Sequence, residues 1–342
     1  MKKRRHSIKD IASANGVSVT TVSFVLNGKA KEMKISKTVT EKILKYVKKI
    51  NYRPNQIAQS LRTGKSKILV FMVEDFYFFF AKIASIIEDL AHEKGYKVLF
   101  CTNDNDDNKS SELIELYKNI KVDGYIIIPS PGLMPKIKEL INEEYPVVLF
   151  DRYFSELESN YVGVNNKIAS YNATRHLISN NYKNIGFITT EIEQTQMIDR
   201  LKGYEGAISD AGLTPWIKKL PILEYNITNN ILDDYIRRII EETPELDAIY
   251  FSTNYLALSG LRVLKKNFPQ YIDKLGIITF DDLDFFEIYT PSISAVSQPY
   301  LELAKCIMDL MFNTLNSELK NKPAIKIELE ANLKIRESTR VR

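Results

Sequence analysis

From Ile68 onward, short apolar runs alternate with stretches of helical periodicity, and no other feature limits the possible folds as tightly. Ile68–Val73, Val98–Cys101, Tyr125–Ile128 and Val147–Phe150 read as buried strands, with helices over roughly 81–94, 110–119 and 135–143 between them. A second series follows: Ile185–Thr189, Ala248–Phe251 and Ile277–Phe280, with helices near 167–180, 197–211, 229–242 and 255–267. A strand that is apolar on both faces needs a helical layer on each side, and strand–helix alternation supplies those layers around a parallel sheet. The length from residue 68 to residue 342 accommodates two such α/β lobes of roughly 100 to 130 residues each.

The first 67 residues follow another pattern and carry another charge. They hold 17 Lys+Arg against 3 Asp+Glu, which leaves 30 basic and 40 acidic residues of the chain's 47 and 43 for the remainder. A segment at +14 ahead of one at −10 points to a polyanionic partner, with a solvated basic face or acidic lipid as the alternatives. Ser7-Ile8-Lys9-Asp10 has the Ser-x-x-acid form of a helix start, and Asn15-Gly16 stops that helix. Ser18 caps a second helix from Val19 to about Leu26, with Val22, Val25 and Leu26 on one stripe, before Asn27-Gly28. A third begins at Thr38-Val39-Thr40-Glu41, read as a Thr-x-x-Glu capping box, and turns Val39, Ile43, Leu44, Val47 and Ile50 inward. Two short helices joined by a tight Gly-Val-Ser turn, backed by a third, form a helix-turn-helix. In that arrangement the second helix enters the major groove and presents Ser18, Val19, Thr20, Ser23 and Phe24, the apolar pair toward thymine methyls. A three-helix docking module is the alternative.

Tyr52-Arg53-Pro54-Asn55 breaks the third helix. Asn55 then caps a short helix, Gln56 to Arg62, before Thr63-Gly64-Lys65-Ser66 releases the chain; seven residues do not hold a helix alone in water. The division expected is a DNA-binding head at 1–54, a hinge helix and linker at 55–67, and a body at 68–342.

Several classes are disfavoured. The start runs from Met1-Lys2-Lys3-Arg4-Arg5-His6 into polar helix sequence, and no apolar run approaches a membrane span, so the expected home is cytoplasmic. Cys101 and Cys306 lack metal-ligand spacing and are expected to be buried thiols. His6, His92 and His176 stand without a paired acid and nucleophile, and no phosphate-cradling or dinucleotide loop is present. Asp104-Asn105-Asp106-Asp107-Asn108 lacks the Gly and closing Glu of a calcium hand and reads as a turn that starts the next helix. No enzyme, cofactor or metal is expected.

Ile8-Lys9-Asp10-Ile11-Ala12, Gly16-Val17-Ser18, Thr21-Val22-Ser23, Val25-Leu26-Asn27-Gly28 and Tyr52-Arg53-Pro54-Asn55 together resemble the lac-repressor (LacI) family of bacterial transcription regulators. Ala58, Leu61-Arg62-Thr63-Gly64 and the closing Arg336-Glu337-Ser338-Thr339 continue the likeness across nearly the whole chain. The resemblance implies an all-α three-helix head followed by a two-lobed, periplasmic-binding-protein-like body of two parallel doubly wound sheets. It implies a ligand-responsive regulator, most often a repressor of carbohydrate genes, that binds a pseudo-palindromic double-stranded DNA operator as a homodimer.

Candidate DNA contacts in the head are Ser7, Ile8, Ser18, Val19, Thr20, Thr21, Ser23, Phe24 and Asn27; in the linker they are Asn55, Ala58 and Leu61. Leu61 matches the family's minor-groove wedge, or else packs the linker onto the body. Phe24 stands where many relatives have arginine, and Lys29 to Lys34 lengthens the next loop; Lys29, Lys31 and Lys34 either touch the DNA backbone or line a solvated turn.

The resemblance also implies three passages of the chain between lobes, placed near Gly163–Asn165, Ser294–Ser297 and Pro323–Ala324. The first lobe is then about 68–163 and 297–323, and the second about 165–294 and 324–342. Ligands of open α/β sheets bind beyond the carboxyl ends of the strands, here in the interlobe cleft. The candidates are Asp75, Asp151, Arg152, Asn254 and Asp281, together with Arg200 from an Arg-Leu-x-Gly-aromatic stretch. A bidentate Arg and an acceptor-only Asp suit sugar hydroxyls or a purine edge; helix caps or salt bridges are the alternatives. The loop Asp75-Phe76-Tyr77-Phe78-Phe79-Phe80 departs from the family, and Tyr77 and Phe78 either stack on the effector or belong to core or dimer surface. Tyr255 replaces an acid common after Asn254. A secreted sugar binder, the rival class, needs a signal sequence and no basic head.

Overall fold

The structure, a computed structural model, describes residues 6–52, 64–75, 78–191, 193–221, 229–316 and 323–341, with the backbone alone for residues 78, 229 and 230. The chain divides into Met1–Ser66 and Lys67–Arg342.

In the first unit, α1 (Ile8–Asn15) opens on a reciprocal cap: the Ser7 hydroxyl accepts from the Asp10 amide, and the Asp10 carboxylate accepts from the Ser7 amide at 2.7 Å. Gly16 ends the helix at φ 68°, a conformation that a side chain would strain. Ser18 caps α2 (Val19–Leu26), its hydroxyl accepting from the Thr21 amide at 3.0 Å. The expected Thr38 cap is corrected: α3 (Lys37–Lys49) is capped by Ser36, which accepts from the Val39 amide, so the helix starts earlier than the Thr-x-x-Glu pattern suggested. Ile11, Val22 and Ile43 are fully buried, and Val39, Val47 and Ile50 pack around them. Leu44, expected inside, is 46% exposed, because the stripe that faces α1 and α2 passes through Ile43 and Val47. Residues 53–63, including Asn55, Ala58 and Leu61, lie outside the described residues.

The second unit is built on two six-stranded sheets. The first draws on β1 (Ile68–Val73), β2 (Lys97–Thr102), β3 (Gly124–Ile127), β4 (Val147–Phe150), β5 (Asn160–Val164) and β11 (Lys326–Leu329), in the order β11-β5-β4-β3-β1-β2. The second draws on β6 (Ile185–Thr190), β7 (Trp216–Leu220), β8 (Ala248–Phe251), β9 (Gly276–Phe280), β10 (Ser294–Ser297) and β12 (Asn332–Lys334), in the order β12-β10-β9-β8-β6-β7. Pairing is parallel throughout, except that β12 runs antiparallel to β10. The same order arises twice because each half repeats the same alternation.

Alternate side chains of β1 show why its run is apolar throughout. Leu69, Phe71 and Val73 face the layer of α4 (Phe78–Glu93) and α12 (Tyr300–Leu315), while Val70 and Met72 face α5 (Asp107–Asn119) and α6 (Met134–Asn142). In the second sheet, Phe187 and Tyr250 face α7 (Asn166–Ser179) and α8 (Thr195–Asp210), and Ile188 and Phe251 face α9 (Asn229–Glu242) and α10 (Asn254–Asn267). A short α11 (Asp284–Ile288) follows β9.

The chain leaves the first sheet at Asn165, returns at Gln298-Pro299, and passes a third time at Glu330-Ala331. The third passage corrects the expected Pro323–Ala324. Residues 326–329 form β11, which pairs with β5, so they belong to the first lobe rather than the second. The marginal apolar character of Lys326-Ile327-Glu328-Leu329 hid this edge strand. Both cysteines, expected buried, are half-buried free thiols.

Candidate DNA surface and effector cleft

On the head, Ser18, Val19 and Thr20 are exposed at the start of α2, with Ser23 and Phe24 half-buried one turn on. Thr21 is turned to the cap, its hydroxyl 2.9 Å from that of Ser18. Asn27 is exposed and donates to the Ser23 carbonyl at 2.8 Å. Ser7 is committed to its capping box, and Ile8 packs against the core. The outer surface of the unit carries Lys9, Lys29, Lys31, Lys34, Lys42, Lys45, Lys48 and Lys49, all exposed. Neutral residues at the start of one helix, set among exposed lysines, can read base edges while the cations hold phosphates.

In the body, β4 and β9 occupy matching positions in their sheets, and each ends in Phe-Asp. Asp151 and Asp281 follow at φ 65° and 70°, left-handed conformations that Asp tolerates better than most residues. The two carboxylates thus project beyond the carboxyl ends of both sheets.

Arg200, only 3% exposed, is held on α8 by four partners. Its Nε donates to Asn166 Oδ1 at 2.9 Å, and Nη1 to the Ser252 carbonyl at 2.8 Å and to Asp281 Oδ2 at 3.3 Å. Its guanidinium lies 3.7 Å from the centre of the Phe280 ring. Gln298 donates to the other Asp281 oxygen at 2.6 Å. Arg152, also 3% exposed, donates to Glu74 Oε2 at 2.8 Å and to Asn105 Oδ1 at 3.2 Å. The same Asn105 oxygen accepts from Gln194 of the other lobe at 3.3 Å, and Thr195 exchanges hydrogen bonds with the Tyr153 backbone. Lys82 meets Asp284 at 3.2 Å, and the Tyr300 hydroxyl donates to the Asp282 carbonyl at 3.3 Å. The lobes are joined by polar contacts along the cleft.

Burial pushes the Asp151 carboxyl up to about 6; the nearby Asp281 and Glu74 add to the rise, and Arg152 and Arg200 oppose it. Arg152 Nε, Gln196 Oε1 and Ser252 Oγ are buried in this region with no hydrogen-bond partner. Such groups cost free energy until something pairs with them.

The structure therefore gathers Asp151, Arg152, Arg200 and Asp281. Asn254 is half-buried in the first turn of α10, and Asp75 is half-buried just past β1. Tyr255 is 45% exposed beside Asn254. Tyr77 and the Phe78 side chain lie outside the described residues; Phe79 and Phe80, their neighbours, pack on Phe150. Glu74, Asn105, Asn166, Gln194, Gln196 and Gln298 were not singled out from the sequence. Glu74 adjoins the candidate Asp75, and a rule that took both residues past a strand would have included it. Nothing local marks the others. The acidic loop is fully used: Asp104 pairs with Lys109 at 2.6 Å, Asp106 caps α5, and Asp107 accepts from the Gly132 amide at 2.9 Å.

Two family models match the chain: bacterial regulatory proteins of the lacI family over residues 7–55, and periplasmic binding proteins and sugar binding domain of LacI family over residues 65–331. The HTH-type transcriptional regulator RegA of Clostridium saccharobutylicum is 30% identical over 338 residues, covering 97% of this chain and 99% of RegA. The ribose operon repressor of Halalkalibacterium halodurans is 28% identical, covering 98% of this chain and 97% of that repressor. A crystal structure of the Lac repressor dimer bound to operator and the anti-inducer ONPF has the same fold, with a TM-score of 0.85 at 17% identity, over 98% of this chain and all of the other. The chain therefore belongs to the lacI family of bacterial regulatory proteins.

Proposed function

We propose that this chain is a ligand-responsive repressor of carbohydrate-related genes, acting in the cytoplasm as a homodimer on a pseudo-palindromic operator, with its effector in the interlobe cleft. One observation carries the reading: a lysine-rich helix-turn-helix unit is followed in the same chain by a body whose sheets end on Asp151, Arg152 and Asp281, with Arg200 of α8 brought against Asp281. Among the described residues no helix is long and apolar enough to cross a membrane.

The head recognises operator through the exposed start of α2, and two heads are needed to read two half-sites. The linker candidates Asn55, Ala58 and Leu61, which lie outside the described residues, are taken as further DNA contacts on the family resemblance. A ligand shifts such a protein between states only by its differential affinity for them. The contacts that join the lobes, Gln194 to Asn105 and Thr195 to Tyr153, are where that difference arises. A sugar or sugar derivative is the effector favoured here. The relatives named as ribose operon repressors and the regulator CelR, solved as a cellobiose complex, support that choice. A purine is the second reading, because the Arg200–Asp281 pair also fits a purine edge.

The DNA claim is tested by operator affinity in rising salt. With roughly 6–10 phosphate contacts, affinity falls by about 10³ to 10⁵ between 50 and 200 mM salt. A flat dependence removes the claim.

A further inference from the structure

At the strand ends each of two guanidiniums is paired with one carboxylate. Arg152 is engaged by Glu74 and Asn105, and Arg200 by Asp281, Asn166 and the Ser252 carbonyl. Asp281 has both oxygens satisfied, by Arg200 and Gln298. The Asp151 carboxylate is left over, and among the described residues no donor lies within hydrogen-bonding distance of it. Its backbone is tied down, by the Asp151 amide to the Val162 carbonyl and by the Tyr161 hydroxyl to the Asp151 carbonyl, so the carboxylate is held in place.

We propose that the effector meets Asp151 with hydrogen-bond donors and carries no negative charge, so that the cleft takes a free, uncharged sugar and rejects its phosphate ester or acid. This rests on the reading of the cleft as the effector site. A second acceptor points the same way: Gln196 is 7% exposed, its amide nitrogen is used by Gln194 at 3.1 Å, and its Oε1 has no donor. The unpaired groups of this region among the described residues are thus two acceptors (Asp151 and Gln196), one guanidinium donor (Arg152 Nε) and the hydroxyls of Thr190, Ser252 and Thr253. A polyol supplies this mixture, because every hydroxyl both donates and accepts. A phosphate or carboxylate brings lone pairs alone at neutral pH, and would face Asp151 and Gln196 unpaired. The N-termini of α8 and α10 lack a side-chain cap at Gln194 and Thr253 and present positive ends here. Each such end amounts to about half a charge, whereas the surplus carboxylate is a whole one. Burial, Asp281 and Glu74 already lift the Asp151 carboxyl to about 6, and a further anion would compound that repulsion.

The test uses the full chain and calorimetric titration with ribose, glucose and cellobiose, set against ribose 5-phosphate and glucose 6-phosphate. Whichever of ribose or glucose binds is expected to bind at least about tenfold tighter than its phosphate. Asp151→Asn is expected to narrow that gap to about threefold or less. An ester that binds the wild type as tightly as the free sugar overturns the proposal. Arg200→Ala separates the premises: sugar binding unchanged by it overturns the cleft reading itself, whereas ester binding abolished by it overturns the charge inference alone. Inorganic phosphate serves as a probe that needs no cognate sugar. At constant ionic strength it is expected to leave the melting of the body unshifted. A stabilisation present in wild type and absent in Arg200→Ala refutes the proposal, since both proteins carry the same head.

Discussion

Replacing Asp151 by Asn removes a surplus half-buried charge without disturbing the backbone, because Asn tolerates φ 65° as well as Asp does. The magnitude follows from proton linkage. The Asp151 carboxyl lies at about 6 in the folded protein, against about 3.9 in an unfolded chain. A raised carboxyl means that the folded state binds the proton more tightly, so stability falls as pH rises through the window from about 4 to about 6. Below that window the cost is absent, and above it the cost is complete, at about 3 kcal/mol for a difference of about two pH units. Asn carries no such cost. The variant is therefore expected to exceed the wild type by about 1.5 kcal/mol at pH 5 and about 3 kcal/mol at pH 8. With an unfolding entropy of about 2.1 cal/mol/K per residue over residues 67–342, or about 0.6 kcal/mol/K, the gap in melting temperature is about 2.5 °C at pH 5 and about 5 °C at pH 8. Differential scanning calorimetry of the full chain across this range measures it. A gap that stays constant or shrinks as pH rises, or a variant that melts below the wild type at pH 8, shows that Asp151 has a partner and that the charge count is wrong.

Gly203→Ala is expected to lower the melting temperature of the body by about 2–5 °C, an overpacking cost of about 1–3 kcal/mol, because a methyl there meets the Lys167 carbonyl and lies 2.8 Å from both Ser170 Cβ and the Tyr171 amide. An unchanged melting temperature refutes that close approach of α7 and α8. In the head, Ile43→Ala is expected to cost about 2–5 kcal/mol and abolish operator binding, whereas Leu44→Ala, at a site 46% exposed, is expected to cost under about 1 kcal/mol; circular dichroism and gel-shift titration distinguish them, and equal effects contradict the orientation of α3. Arg200→Lys is expected to weaken the binding sugar at least about tenfold in calorimetric titration, since an ammonium cannot span Asn166, the Ser252 carbonyl and Asp281 together; wild-type affinity in the variant would show that this fork is not used.

The elements that could be read in advance are those whose cause is local. Ser7, Gly16, Ser18 and Asn27 delimit α1 and α2 as expected, because caps and left-handed stops are decided within four residues. Thr38 misled for the same kind of reason: Ser36, two residues earlier, offers an equally good local cap and is the one used. Seven strands were legible from their unbroken apolar runs, the edge strand β2 among them, whereas the interior strands β5 and β10, interrupted by Asn, Gly or Ser, and the edge strands β7, β11 and β12, which carry Lys, were not.

Sequence by itself determined a basic three-helix head and a body of parallel sheets wrapped by helices, since periodicity and charge are properties of the chain read in order. It also pointed to Asp151, Arg152, Arg200 and Asp281, because the residue after a buried strand and an arginine in a recognisable stretch are visible one at a time. Tertiary structure alone decided how these four divide their partners. Glu74 takes Arg152 across 78 positions of chain and Asp281 takes Arg200 across 81, which leaves the Asp151 carboxylate without a partner among the described residues. Pairing of that kind depends on distances between strand ends, which the order of residues along a chain does not encode.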